Sequence, residues 1–317
     1  MDAATQTSRH PGEGRGLATA DRRYILSHAP QTRRSQTPAF AGVALLFIFL
    51  LSTFSAFAAD QKESAYDRVM RTGVLHCGYI VYPPETIKDP NTGKLSGTVI
   101  DTTEALGKQL GLKIDWTEEV PFANLFAGLK SGRIDALCAG LFESPARARE
   151  ALFTIPSNYG VTYVFTRVGD TRFDNGFSSI DDPKIKIATI DGELGQSIAT
   201  EQFPRASQTA LPQMSDVSMV LETVATKKAD VAFLQKGPAK GFLKNNPGKV
   251  RIAGKEPLRA FPAPLIAVRP DETSLKFLLD AGIRTLLLNG TVEKILRRYD
   301  PELDSYLLVA KPYEVSK

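Results

Sequence analysis

Strand-sized apolar runs alternate with segments of helical periodicity along most of this chain, and that alternation constrains its fold more than any other feature. The order specifies α/β architecture with mainly parallel sheets. Parallel neighbours need a crossover, and the helix that makes it covers a sheet face. Residues 73–80 (GVLHCGYI) read as a first strand, closing at Tyr82-Pro83-Pro84. After a turn at 89–93 (DPNTG) a helix is expected to open with Asp101 as its N-cap. It shows Ala105, Leu106 and Leu110 at helical spacing and stops at Gly111. Residues 112–116 read as a strand, 122–129 as a helix and 134–139 as a third strand.

A second unit repeats the plan, with a strand at Lys186–Ile190, a loop and helix over 192–202, a helix over 217–226 and a strand over 230–234. The segments LKSGRID (129–135) and VATKKAD (224–230) match in register, each ending a helix and launching a strand with an aspartate. Asp135 and Asp230 are read as structural, and the echo points to two similar lobes. Extended segments at 162–168 and 264–268 flank the second unit and read as a pair of crossover strands. Helices over 274–288 and 292–299 carry apolar stripes that need a surface, and they are placed back on the first unit. Residues 66–165 with 269–310 are therefore expected to form a discontinuous lobe 1, and 166–268 lobe 2.

Residues 39–51 (AFAGVALLFIFLL) follow Arg33-Arg34 and precede Ala56-x-Ala58, the plan of a cleavable signal peptide with its cut after Ala58. The apolar core is shorter than the roughly 20 residues of a membrane-spanning helix. The arginine pair lacks the rest of a twin-arginine pattern, and no cysteine stands at the cut to take a lipid. Residues 1–32 exceed what an n-region needs and suggest a start codon further downstream. The leader, 1–58, holds six arginines and three acids, so the remainder carries 33 Lys and Arg against 32 Asp and Glu. That balance favours neither nucleic acid nor an anionic membrane as a partner. Cys77 and Cys138 each sit in an apolar run and are read as two packed thiols rather than a disulfide, although an exported protein permits the bond. His76 stands alone beyond the leader, so no metal or triad cluster is expected; the chain is read as having no catalytic group, metal or cofactor.

The motifs resemble the extracellular solute-binding proteins of family 3, from about Gly73 to Tyr299. The carriers are Tyr82-Pro-Pro84, Gly93-Lys-Leu-Ser-Gly97 with Asp101, 129–135, Ala139-Gly140 with Ser144-Pro-Ala-Arg147, 153–156 (FTIP), Lys228-Ala-Asp230, and 289–295 (NGTVEKI). The resemblance implies a two-lobed, type II periplasmic-binding-protein-like fold with two strand crossovers and a ligand cleft between lobes that closes by a hinge. It implies a monomer in the periplasm that binds an amino-acid-like ligand and serves an ABC transporter permease in the inner membrane. Arg147 falls where the family places an arginine that clamps a ligand carboxylate, for which a planar fork of donors is suited. Gly140 falls where backbone approaches the ligand, and Phe122 where an aromatic stacks on it. Tyr79 and Tyr82 end the first strand at the cleft mouth, one a wall and the other on the surface.

The departures bear on specificity. Phe142 stands where the family has a threonine for the carboxylate, Gln235 where it has an acid for the α-ammonium, and Glu85 where an aromatic follows the Pro-Pro turn. A neutral amide does not offset a buried ammonium as a carboxylate does. Either the ligand lacks a standard α-amino head, or Glu85 or Glu193 neutralises it. Glu193, in the turn 192–195 (GELG), reads first as an exposed acid at a helix start. The expected function is binding of a small carboxylate-bearing solute for import. The alternatives are a cyclohexadienyl or prephenate-type dehydratase on the same fold, with Glu85 or Glu193 as acid, and a sensory or accessory binding module.

Overall fold

The structure, a computed structural model, describes residues 63–310. The leader and the cleavage site read over 1–58 lie outside them. In chain order the first lobe runs α1 (Ala65–Thr72), β1 (Val74–Tyr79), a ribbon of β2 (Ile87–Lys88) and β3 (Leu95–Ser96), and α2 (Thr98–Leu110). It continues through β4 (Lys113–Glu119), α3 (Ala127–Ser131), β5 (Ala136–Cys138), α4 (Pro145–Ala148) and β6 (Leu152–Phe153). The second lobe holds β7 (Pro156–Arg167), β8 (Lys186–Ile190), α5 (Leu194–Gln202), β9 (Ser207–Leu211) and α6 (Met219–Ala225). It closes with β10 (Val231–Gln235), α7 (Lys236–Asn245), β11 (Val250–Ile252) and β12 (Arg259–Pro264). The chain then returns through β13 (Ile266–Val268), α8 (Thr273–Leu288) and α9 (Thr291–Tyr299), ending on β14 (Tyr306–Leu307).

One sheet has the order β4-β1-β5-β13-β6, with β1 parallel to β4 and β5 and β13 antiparallel to its neighbours. The other has the order β11-β7-β10-β8-β9, with β12 and β14 also paired to β7. The interior strand β10 (VAFLQ) is buried along its whole length, as a strand flanked on both edges and covered on both faces must be. The final helices pack where their stripes predicted: Leu275, Leu279 and Ile283 of α8 and Val292 and Leu296 of α9 share a core with Leu75 of β1 and Leu106 of α2. Gly282 permits the close crossing of α8 over α2, since a Cβ there would lie 2.4 Å from Leu106 Cδ1.

The internal echo has a common structural device. Asp135 and Asp230 each accept a backbone N–H of the preceding parallel strand, from His76 at 3.0 Å and from Lys186 at 3.0 Å, and each meets arginine. Their own N–H groups donate to the carbonyls of the same two residues.

Several expectations change. Cys77 and Cys138 form a disulfide: β5 is the neighbour of β1, and their Cα atoms stand 5.6 Å apart, inside bonding range. Asp101 is not the N-cap of α2. Gly97 holds that place, the helix start being tied to the carbonyls of Pro84 and Glu85, while the Asp101 carboxylate accepts from Arg298 and Tyr299. The helix read over 122–129 divides into a single 3₁₀ turn, Phe122–Asn124, and α3. Residues 162–168 lie mostly within β7; the chain passes between the sheets earlier, between Phe153 and Pro156, and returns between Pro264 and Ile266. A continuous apolar run does not mark the point where a strand changes sheets.

Candidate binding cavity

The ends of β1, β5 and β10 and the starts of α2, α4 and α5 converge on a cavity of about 60 Å³, where a single water takes roughly 10–15 Å³. Of the residues singled out from sequence, Arg147, Gly140, Phe122, Phe142, Tyr82, Glu85, Glu193 and Gln235 all line it. Tyr79 does not. It is buried edge-on against Trp116 beneath the ammonium of Lys88, so it is neither cleft wall nor surface.

Arg147 is the sole basic side chain among the described residues that line the cavity. Ser144 caps the short helix that carries it, with Pro145 at the first helical position. The half-buried guanidinium lies 3.7 Å from the centre of the Phe142 ring and donates to the carbonyls of Phe142 and Gly192, each at 3.0 Å. The second bond joins a helix of one lobe to a turn of the other. Burial lowers its pKa to about 10, partly offset by the charge of Glu193, and it stays cationic at neutral pH. Phe142 meets Phe261 edge-on, carrying the aromatic wall across to β12.

Glu193 is not an exposed first-turn acid. It is the buried N-cap of α5, with Oε2 accepting from Gly195 N at 2.6 Å. Burial raises its pKa, opposed by backbone N–H groups, Tyr82 and Arg147. The Tyr82 hydroxyl lies 2.8 Å from Gln235 Oε1 and 3.3 Å from Glu193 Oε1, and its ring stands edge-on to Phe122. The Gln235 carbonyl oxygen is thus engaged by a protein hydroxyl.

Glu85 is held by its backbone. Its carbonyl accepts from Val99 N at 2.9 Å, and Gly97, at φ 124, leaves room that any Cβ would take, 2.3 Å from that oxygen. Its Oε1 accepts from the Tyr306 hydroxyl at 3.1 Å, and its Oε2 is buried with no hydrogen-bond partner. Burial raises the pKa to about 7, opposed by the residue's own backbone N–H and by the Tyr306 bond, while Asp300 pushes the same way as burial. The residue as a whole is half-buried, but the carboxylate end lies inside.

Sequence reasoning missed Thr98, Asn158, Phe261 and Tyr306, which also line the cavity. Thr98, at a helix start after Gly97, had a local cue. The others lie on β7, β12 and β14 and reach the cavity through pairings with no local mark. Among the described residues no group of His, Cys, Asp and Glu is arranged to hold a metal, and no helix is long and apolar enough to cross a membrane.

A family model described as bacterial extracellular solute-binding proteins, family 3, matches residues 75–302. The chain belongs to that family. Among family 3 relatives, the chain is similar to a probable amino-acid ABC transporter-binding protein of Haemophilus influenzae, 27% identical over 64% of this chain and 76% of the relative. It is also similar to ABC transporter arginine-binding protein 1 of Escherichia coli, 27% identical over 81% of this chain and 99% of the relative. The L-cystine-binding protein TcyA of Bacillus subtilis is 24% identical over 81% and 96%. Among solved structures, an ancestral amino acid-binding protein described as a precursor of cyclohexadienyl dehydratase superposes with a TM-score of 0.64, at 21% identity over 75% of this chain and 99% of that one. A Streptococcus pneumoniae substrate-binding protein bound to L-arginine gives 0.63, at 22% identity over 78% and 100%. At these identities the superpositions carry the two-lobed, type II binding-protein fold and not the ligand.

Proposed function

We propose that the protein is exported by its leader, cut after Ala58, and binds a small carboxylate-bearing solute between its lobes for delivery to an ABC importer of the inner membrane. The observation that carries this reading is the position of Arg147, a half-buried cation that stays charged in a cavity otherwise lined by acidic, neutral polar, aromatic and aliphatic side chains. A guanidinium whose η nitrogens each keep an N–H beyond their carbonyl bonds receives a carboxylate as a bidentate partner. The same side chain touches both lobes, so a ligand on it favours the closed arrangement, and a permease that reads the closed rims distinguishes loaded from empty protein.

Isothermal titration of the purified protein with a panel of small carboxylates tests the reading. At least one binder is expected, with Arg147→Ala weakening it about 10- to 150-fold, the equivalent of a charged hydrogen bond of about 1.5–3 kcal/mol. Full affinity in the variant overturns the site. Conversion of added prephenate, lost in Glu85→Gln or Glu193→Gln, would instead make the protein a dehydratase.

A further inference from the structure

We propose that Glu85, positioned by Tyr306, is a cation subsite of the cavity and takes an ammonium group of the ligand. The inference rests on the cavity being the solute site, and it assigns to the ligand a second, oppositely charged end. One carboxylate oxygen of Glu85 is held by the Tyr306 hydroxyl, while the other is buried, lines the same cavity and has no partner in the protein. A buried carboxylate oxygen without a donor is costly unless something supplies one. An ammonium supplies both N–H donors and the compensating charge.

The distribution of charge separates this acid from the other one. Glu193 has the backbone N–H of Gly195 and the positive charge of Arg147. The ionisable groups that act on Glu85 are Tyr82, Tyr306 and Asp300, none of them basic, so no cation among them offsets an ionised Glu85. Gln235 does not replace it, since it is neutral and its carbonyl oxygen, 2.8 Å from the Tyr82 hydroxyl, brings no compensating charge to a buried ammonium. The Glu85 backbone does not yield, because Gly97 packs directly on its carbonyl and Val99 donates to it. The subsite is therefore preformed, and the ligand class is a zwitterion with its carboxylate toward Arg147 and its amine toward Glu85.

Burial leaves Glu85 titrating at about 7 in the free protein, and an ammonium partner demands the ionised form. Binding then releases a proton in acid solution, and affinity for amine-bearing ligands falls about tenfold between pH 8 and pH 6.

Titration calorimetry on matched pairs tests the subsite: alanine against propanoate, 4-aminobutanoate against butanoate, and arginine against 5-guanidinopentanoate, at pH 8 and pH 6. The amine-bearing member of a binding pair should be at least tenfold tighter at pH 8. That preference should shrink at pH 6 and vanish in Glu85→Gln, while Tyr306→Phe weakens it without abolishing it. Equal binding within the pair, or a preference that survives in Glu85→Gln, overturns the proposal. If no carboxylate binds at all, the proposed function fails separately, and methylammonium alone decides the subsite. Thermal stabilisation of the wild type but not of Glu85→Gln, at matched ionic strength and pH 8, sustains it; stabilisation of both or of neither overturns it.

Discussion

A carboxylate that titrates at about 7 in the fold and near 4.5 in an unfolded chain makes the native state favour its protonated form. Glu85 therefore adds stability that is fully present below about pH 4.5 and is lost as pH rises through about 7. The difference of titration points corresponds to about 3 kcal/mol at pH 8. Glu85→Gln, which has no charge to bury, should thus be more stable than the wild type by up to about that amount at pH 8, with the gap closing toward pH 5. Urea unfolding across that range checks the sign, and a variant that is less stable at pH 8 would show the buried charge to be compensated within the protein. The sequence offered Glu85 and Glu193 alike as an ammonium partner or an acid. Which of the two keeps an oxygen without a donor was not legible, since burial and partners arise from segments far along the chain.

Elements were easier to read. Lys186–Ile190 is the strand its pattern predicted, Gly111 ends α2 in a left-handed conformation, and α8 and α9 fall within a residue or so of the periodic stripes. The failures have physical causes. Asp101 has the chemistry of a cap, but the backbone of the preceding turn satisfies the helix start, which frees its carboxylate for Arg298 and Tyr299. The cysteines were read as unbonded because adjacent parallel strands rarely offer disulfide geometry; β1 and β5 are such neighbours, yet their pairing brings the Cα atoms to 5.6 Å across 61 residues, within bonding range. Closing a loop of that length should stabilise the fold by about 2–4 kcal/mol. Guanidinium unfolding with and without reductant should show a lower midpoint when the bond is reduced, and an unchanged midpoint would remove the disulfide from the stability of the first lobe.

At the scale of the molecule, three passages tie the lobes: β6 into β7, β12 into β13, and the C-terminal strand β14, which leaves the first lobe's final helix to pair with β7 of the second. That last strand also delivers Tyr306, 3% exposed, to the Glu85 carboxylate from 221 residues away. Ending the chain after Asp304 should therefore cost about 3 kcal/mol or more, on the scale of deleting a buried aromatic, and should weaken solute binding as well. A truncated protein with unchanged melting and affinity would make the strand an appendage. The sequence by itself determined the α/β class, the two-lobed plan and the stretches whose ends face the cleft, because periodicity and turn chemistry act between near neighbours in the chain. Only the tertiary structure decided which polar groups in that cleft are partnered. Tyr82 engages Gln235, Arg147 spans to Gly192, and one oxygen of Glu85 is left over. Burial and hydrogen-bond satisfaction depend on which distant segments enclose the same space.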